Sequence, residues 1–302
     1  MNSPISLVGP IDLDGSMEDA QEFDLYNIDS SRFNTNTQTN TESIPGFDSE
    51  DSISTPLTGS VSRSINGRGS PLAIHMGVNE GEVTESLRRW LYGFEALVLP
   101  EQGLGYDIES SVRGGDYDPR EGDSGFLVSN VRWSLTSRNI SRFDWNIDLE
   151  LSEGVQSVSR TPDDYISEQL DQDVTVDKVE VDGLTLEFDE VDERSVSRSV
   201  DINTVDLMHQ FDIPLTGVIE TGVETDVEFS GRVLNEDATD LAQTVRDFDQ
   251  ELQGKEATVF DSFSGRSFTG TISRSSSDFS AGQPKAFDFS LDLEVTRTFG
   301  VS

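Results

Sequence analysis

The sequence predicts a mainly β protein of the α+β kind: two tandem β domains, each with one packed helix, plus extended arms. Three observations predict it. Long stretches alternate apolar and polar residues with period two, as strands wet on one face do. One run in each half carries apolar residues at helical spacing instead. Matched segments also recur in the same order, so the chain reads as one unit written twice.

The strongest match pairs Phe143 to Leu151 with Phe287 to Val295, at an offset of 144 with five identities in nine positions. Pro56-Leu57-Thr58-Gly59 recurs as Pro214-Leu215-Thr216-Gly217, an offset of 158. Val78-Asn79-Glu80 recurs as Leu234-Asn235-Glu236, an offset of 156. The falling offsets place about a dozen extra residues in the first copy, where Gly103, Gly105, Gly114, Gly115 and Gly122 crowd between helix and strand.

Residues 1–53 come first and are poor in core residues. The run Arg32 to Asn40 alternates Asn and Thr and reads as loop or arm. Residues 54–152 form the first domain. Its helix carries Val83, Leu87, Trp90, Leu91, Phe94 and Leu97 on one face. A strand follows from Phe126 to Leu135, then the closing strand. In that strand Phe143, Trp145, Ile147, Leu149 and Leu151 point one way, and Asp144, Asn146, Asp148 and Glu150 the other. Gly67-Arg68-Gly69 reads as a turn.

Residues 153–210 form an acidic inter-repeat segment with a β-hairpin arm. Val179 and Val181 face Leu184, Leu186 and Phe188 across Asp182-Gly183, a two-residue hairpin signal. A further alternating run passes through Val196, Val200 and Ile202. Residues 211–302 form the second domain. Leu241, Val245, Phe248 and Leu252 line a helix over 238–253 that Gly254 ends. The strand from Ser267 to Ser273 precedes the closing strand, whose polar face holds Asp288, Ser290, Asp292 and Glu294. One-sided alternation of this kind suits antiparallel sheets.

Composition narrows the function classes. The chain has 302 residues, 58 Asp+Glu against 21 Lys+Arg, and a net charge of −37. Only Lys178, Lys255 and Lys285 are lysines. Abundant carboxylates with little lysine suit a salt-saturated cytoplasm, where screening tolerates dense like charge. This balance argues against gripping nucleic acid by counterion release and against an anionic membrane. The start, Met1 to Ser6, has no basic or apolar signal region. With no cysteine, thiolate metal sites and thiol nucleophiles are excluded.

Catalytic patterns are missing. His75 and His209 stand apart, without the spacing of a metal pair. Asp116 to Asp123 resembles a calcium loop only faintly, because Arg120 takes the fifth position, where an oxygen ligand belongs. With 58 acids, any carboxylate pair can be found, so pairing carries no specificity. No catalytic, cofactor or metal residue is expected, and the chain is read as a non-enzyme.

The duplicated unit resembles the tail-tube domain of tailed viruses. The likeness is carried by the two Pro-Leu-Thr-Gly elements, the helices at 83–98 and 238–253, and the two closing strands. It implies tube-like domains of the sandwich or barrel-forming type, whose sheets stand side by side around a channel. A tandem subunit of that family implies a homotrimer with a pseudo-sixfold ring. Its arms would bridge neighbouring subunits, stacked rings or other tail and baseplate proteins, in a virion tail assembled in the host cytoplasm. DNA would pass without sticking. The channel-lining candidates are then Asp144, Asp148, Glu150, Asp288, Asp292 and Glu294. A baseplate hub at the tail tip is the nearest alternative. A haloarchaeal surface or secreted β-rich binding protein is the next.

Overall fold

A computed structural model describes residues 5–11, 21–25, 28–43, 52–69, 80–98, 105–110, 125–136, 142–152, 155–156, 162–206, 216–234, 252, 254–279 and 286–297. The protein is mainly β. Seven strands fall in the first half: β1 (Ile5–Ile11), β2 (Gln21–Leu25), β3 (Ile28–Ser43), β4 (Ser52–Gly69), β5 (Gly105–Ser110), β6 (Gly125–Thr136) and β7 (Arg142–Ser152). The short β8 (Val155–Gln156) runs parallel to β12. Seven more fall in the second half: β9 (Lys178–Val181), β10 (Leu184–Glu187), β11 (Glu190–Asp206), β12 (Thr216–Leu234), β13 (Glu256–Asp261), β14 (Arg266–Phe279) and β15 (Ala286–Arg297). Two helices are described, α1 (Glu80–Ala96) and α2 (Pro162–Leu170).

Both halves have the same strand order. The first runs β2-β1-β5-β6-β7-β4-β3, and the second runs β10-β9-β13-β14-β15-β12-β11. The register agrees in detail. Ile65 faces Ile147 and Gly67 faces Trp145 across β4 and β7. Phe229 faces Leu291 and Gly231 faces Phe289 across β12 and β15. Leu7 lies between Phe23 and Ile108 in one half, and Val179 lies between Leu186 and Val259 in the other.

Three β-bulges also match. The β3–β4 ladder shifts between Ile28 and Ser30 and between Gln38 and Thr39, and the β11–β12 ladder shifts between Val191 and Glu193 and between Asp201 and Ile202. The β6–β7 ladder shifts between Val128 and Asn130, and β14–β15 between Ile272 and Arg274. At this last pair, Ser129 Oγ donates to Asp148 O and Ser273 Oγ to Asp292 O, both at 3.2 Å. Bulges are specific features of a fold rather than accidents of a strand. Their coincidence makes the repeat a structural one.

The repeat is therefore longer than the sequence matches indicate. Residues 1–53 and 153–210 are not simply arms, because β1–β3 and β9–β11 are corresponding strands of the two repeats. Ile5, Leu7 and Leu25 are buried. The Asp182-Gly183 hairpin forms, with φ of 49° and 82° at its turn, but it lies along β13 rather than projecting. The sheet equates Ile65 with Phe229, an offset of 164. The Pro-Leu-Thr-Gly match thus sits six residues out of register. The step from 164 to 144 places twenty extra residues between β4 and the β6–β7 pair of the first repeat, rather than a dozen.

Gly67 to Gly69 is a further correction: it belongs to β4, not to a turn. A Cβ at Gly67 would collide with the Trp145 ring, so glycine here makes room for the aromatic opposite. On α1, Trp90, Leu91 and Phe94 are buried as the spacing predicts, and so is Leu97 just past its end; the side chains of Val83 and Leu87 lie outside the described residues. Trp90 stacks on Phe94 with ring centroids 5.0 Å apart, and its Nε1 donates to Asp24 O of β2 at 3.1 Å. The expected helix over 238–253 lies outside the described residues, apart from Leu252, which is buried. Gly254 has φ 78°. His75, His209 and the 116–123 loop also lie outside.

Candidate functional site

Burial on the closing strands follows the sequence pattern. Trp145, Ile147, Leu149, Phe287, Phe289, Leu291 and Leu293 are buried. Asp144, Asp148, Asp288 and Asp292 are half-buried, while Glu150 and Glu294 are exposed. Side chains directly opposite in a sheet share a face. One rung runs Asp144–Ser134–Ser195–Glu228–Asp292–Arg274 through β7, β6, β11, β12, β15 and β14. The two predicted rows of acids therefore lie on one polar face of one sheet, with β6, β11 and β12 between them.

Serine, asparagine and a few arginines fill the space between the acids. Asp148 accepts from Asn130 Nδ2 at 3.1 Å and from Asn146 Nδ2 at 3.0 Å. Arg132 bonds Glu228 at 3.0 Å and Ser195 at 3.2 Å. Arg232 bonds Asp288 at 2.8 Å. Among the described residues no salt bridge reaches Asp226, Asp292 or Glu294. Desolvation on the sheet, then the charges of Glu294, Glu228 and Asp292, hold the Asp226 carboxyl above its ordinary range. Desolvation and then Asp148 raise Glu150 likewise. An open depression on this sheet is lined by Asn66, Gly67, Arg132, Ser134, Asp144, Trp145 and Asn146. Among the described residues no cluster of His, Asp and Glu is placed to hold a metal ion, and no helix is long and apolar enough to cross a membrane.

The opposite face holds a polar network that the sequence patterns missed. Glu95 of α1 and Arg266 at the start of β14 are both fully buried. Arg266 grips both Glu95 oxygens, at 2.5 and 2.6 Å. Trp133 Nε1 adds a bond to Glu95 at 2.6 Å, and the Tyr165 hydroxyl adds one at 2.7 Å. Burial alone would raise the Glu95 carboxyl. The charge and hydrogen bonds of Arg266, then the charge of Arg198 and the bond from Tyr165, outweigh burial and hold it below the usual range. Burial pushes the Tyr165 phenol up to about 12. Beside this network, Arg194 of β11 bonds Asp261 at 2.8 Å and Asp177 at 3.1 Å. Arg88 of α1 donates to Ser262 O and Phe263 O, at 2.8 and 3.0 Å. The turn between β13 and β14 in the second repeat is thus held by the helix of the first. One available signal was Glu95 itself, a carboxylate inside the most apolar stretch of the chain.

No protein-family model matches the chain, and no curated protein matches it in sequence.

Proposed function

We propose that the chain is a structural subunit of a virion tail, forming a tube ring around a channel for DNA. It works as a homo-oligomer, most simply a trimer of double-repeat chains, and catalyses nothing. The carrying observation is the sheet that runs through both repeats with one polar face whose charged groups are mostly acids. The helix packing and the buried ion pair lie on its other side. Such a sheet can wall a channel with its wet face inward. Carboxylates there repel phosphates, the converse of a counterion-releasing grip. Serine and asparagine keep the wall hydrated without adding positive charge. The passage would let DNA through without binding it.

The test is the assembly state of the purified full chain in molar salt, by light scattering and electron microscopy. The expected result is a ring with three times the 33.3 kDa chain mass, stacking into striated tubes. Rings that never stack would favour the baseplate hub. A well-folded monomer at every concentration would overturn the ring reading.

A further inference from the structure

The two repeats meet along one seam. β11, the edge strand of the second repeat, pairs antiparallel with β6 of the first, from Glu193–Thr136 to Ser199–Asn130. It uses the part of the β6 edge that β5 leaves open, because β5 reaches β6 only at Tyr106–Phe126. Each partner has a counterpart elsewhere in the chain. The counterpart of β11 is β3, which among the described strands pairs with β4 alone. The counterpart of β6 is β14, whose outer edge β13 covers only from Arg266 to Thr271. Beyond Thr271 no described strand runs along that edge. Among the described strands one seam is thus closed, and neither half of the matching seam has a strand along it.

We propose that β3 of one chain adds to the outer edge of β14 in a neighbouring chain, repeating between chains the seam that β11 and β6 make within one. The inference rests on the ring reading for the identity of the partner, and goes beyond it in naming the strands and their register. The matched bulges carry the register across. Ser197 faces Arg132 in the internal seam. The equivalent stations are Asn34 and Ser276. This register sets Arg32 opposite Asp278 and Asn36 opposite Arg274.

Two observations favour this occupant. An arginine in a chain with few basic residues meets a carboxylate, a favourable cross-strand pair. The contact is also head-to-tail: a donor edge and an acceptor edge lie on one chain, so every chain added offers the next a new edge. Such heterologous contacts close into rings when the rotation per chain allows. A long open strand edge invites pairing, and ring closure removes it.

The chain has no cysteine, so paired substitutions report cleanly. Antiparallel stations alternate between wide and close pairs. Two consecutive stations are therefore tested: Asn34→Cys with Ser276→Cys, and Thr35→Cys with Ser275→Cys. After mild oxidation in molar salt, at least one pair is expected to deplete the monomer band on a non-reducing gel and give interchain-linked species. Ser197→Cys with Arg132→Cys is the internal control and links within the chain. Asn34→Cys with Asp278→Cys, a two-residue slip, is expected to leave most of the monomer. Equal linking by the slip pair would overturn the register. Rings with the internal control linked and neither test pair linked would overturn this contact while leaving the ring reading intact. A monomeric wild-type chain would overturn both.

Discussion

The two repeats share seven strands in one order, yet they treat their outermost long strand differently. In the second repeat β11 is a central strand of the molecule, paired along both edges. Its inward residues include Arg194 and Arg198, each anchored in a buried polar network. In the first repeat the corresponding stations on β3 hold Ser31 and Thr35, and among the described strands β3 pairs with β4 alone. Among the described strands, duplication has thus produced one strand with two neighbours and one with a single neighbour, the edge at which the proposed contact between chains would form. Identical topology does not imply identical duty: the buried Arg194 and Arg198 mark the seam made within the chain, and the sequence puts no arginine at the matching stations of β3.

The comparison can be broken hardest at the internal seam. Glu95→Ala strands Arg266 in the core without its partner, and breaking a buried pair in this way costs about 3–5 kcal/mol. The expected result is a large fall in the denaturant midpoint, or no folded protein. A midpoint within error of wild type would mean the network does not hold the repeats together. Acid provides a gentler route. The folded-state pKa of Glu95 lies below its unfolded value, so its contribution is present above the unfolded value and lost as pH falls through the folded one. Denaturation curves at descending pH should show this loss.

The matched glycines come next. Gly67→Ala drives a methyl into the Trp145 ring, and Gly231→Ala drives one against the Glu190 carbonyl. Each is expected to cost about 1–3 kcal/mol through overpacking. Phe289 occupies the station of Trp145 in the second repeat. Adding Trp145→Phe should therefore recover part of the Gly67→Ala loss. No recovery in thermal melts would argue that the two stations are not equivalent. A smaller effect is expected at the tight β9–β10 turn. Gly183→Ala places a side chain at φ 82°, costing about 1 kcal/mol.

The smallest effect lies on the acidic face. The folded-state pKa of Asp226 is raised, so its ionised form opposes folding, and stability from this group is lost as pH rises through that pKa. Asp226→Asn should raise the melting temperature at neutral pH and low salt. Below the unfolded-state pKa the gain should vanish, and in molar salt it should shrink as screening takes over. A gain independent of salt would show that charge is not the cause.

Much of this fold was legible in the chain. The closing strands alternate so strictly that burial follows their pattern, and Asp182-Gly183 names its own turn. The apolar spacing of α1 is borne out at Trp90, Leu91 and Phe94. β3 was not legible, because a Thr/Asn run has no apolar face and gains its strand conformation from pairing with β4. Gly67 looked like a turn because its reason, Trp145, lies 78 positions away on the next strand. The Glu95–Arg266 pair spans 171 positions. No local pattern encodes a contact made by tertiary packing. The acids of the closing strands were readable as a row, but only the cross-strand register put both rows on one face.

The paired bulges have a consequence for shape. Each bulge bends its strand and sharpens the local twist. They stand at the same stations in both repeats, so the two half-sheets bend at matching places. In the proposed ring of three chains, each half would then subtend a similar arc and the bore would be almost evenly six-sided. A filament threading such a bore would meet six near-identical walls, with little to favour one rotational setting over another.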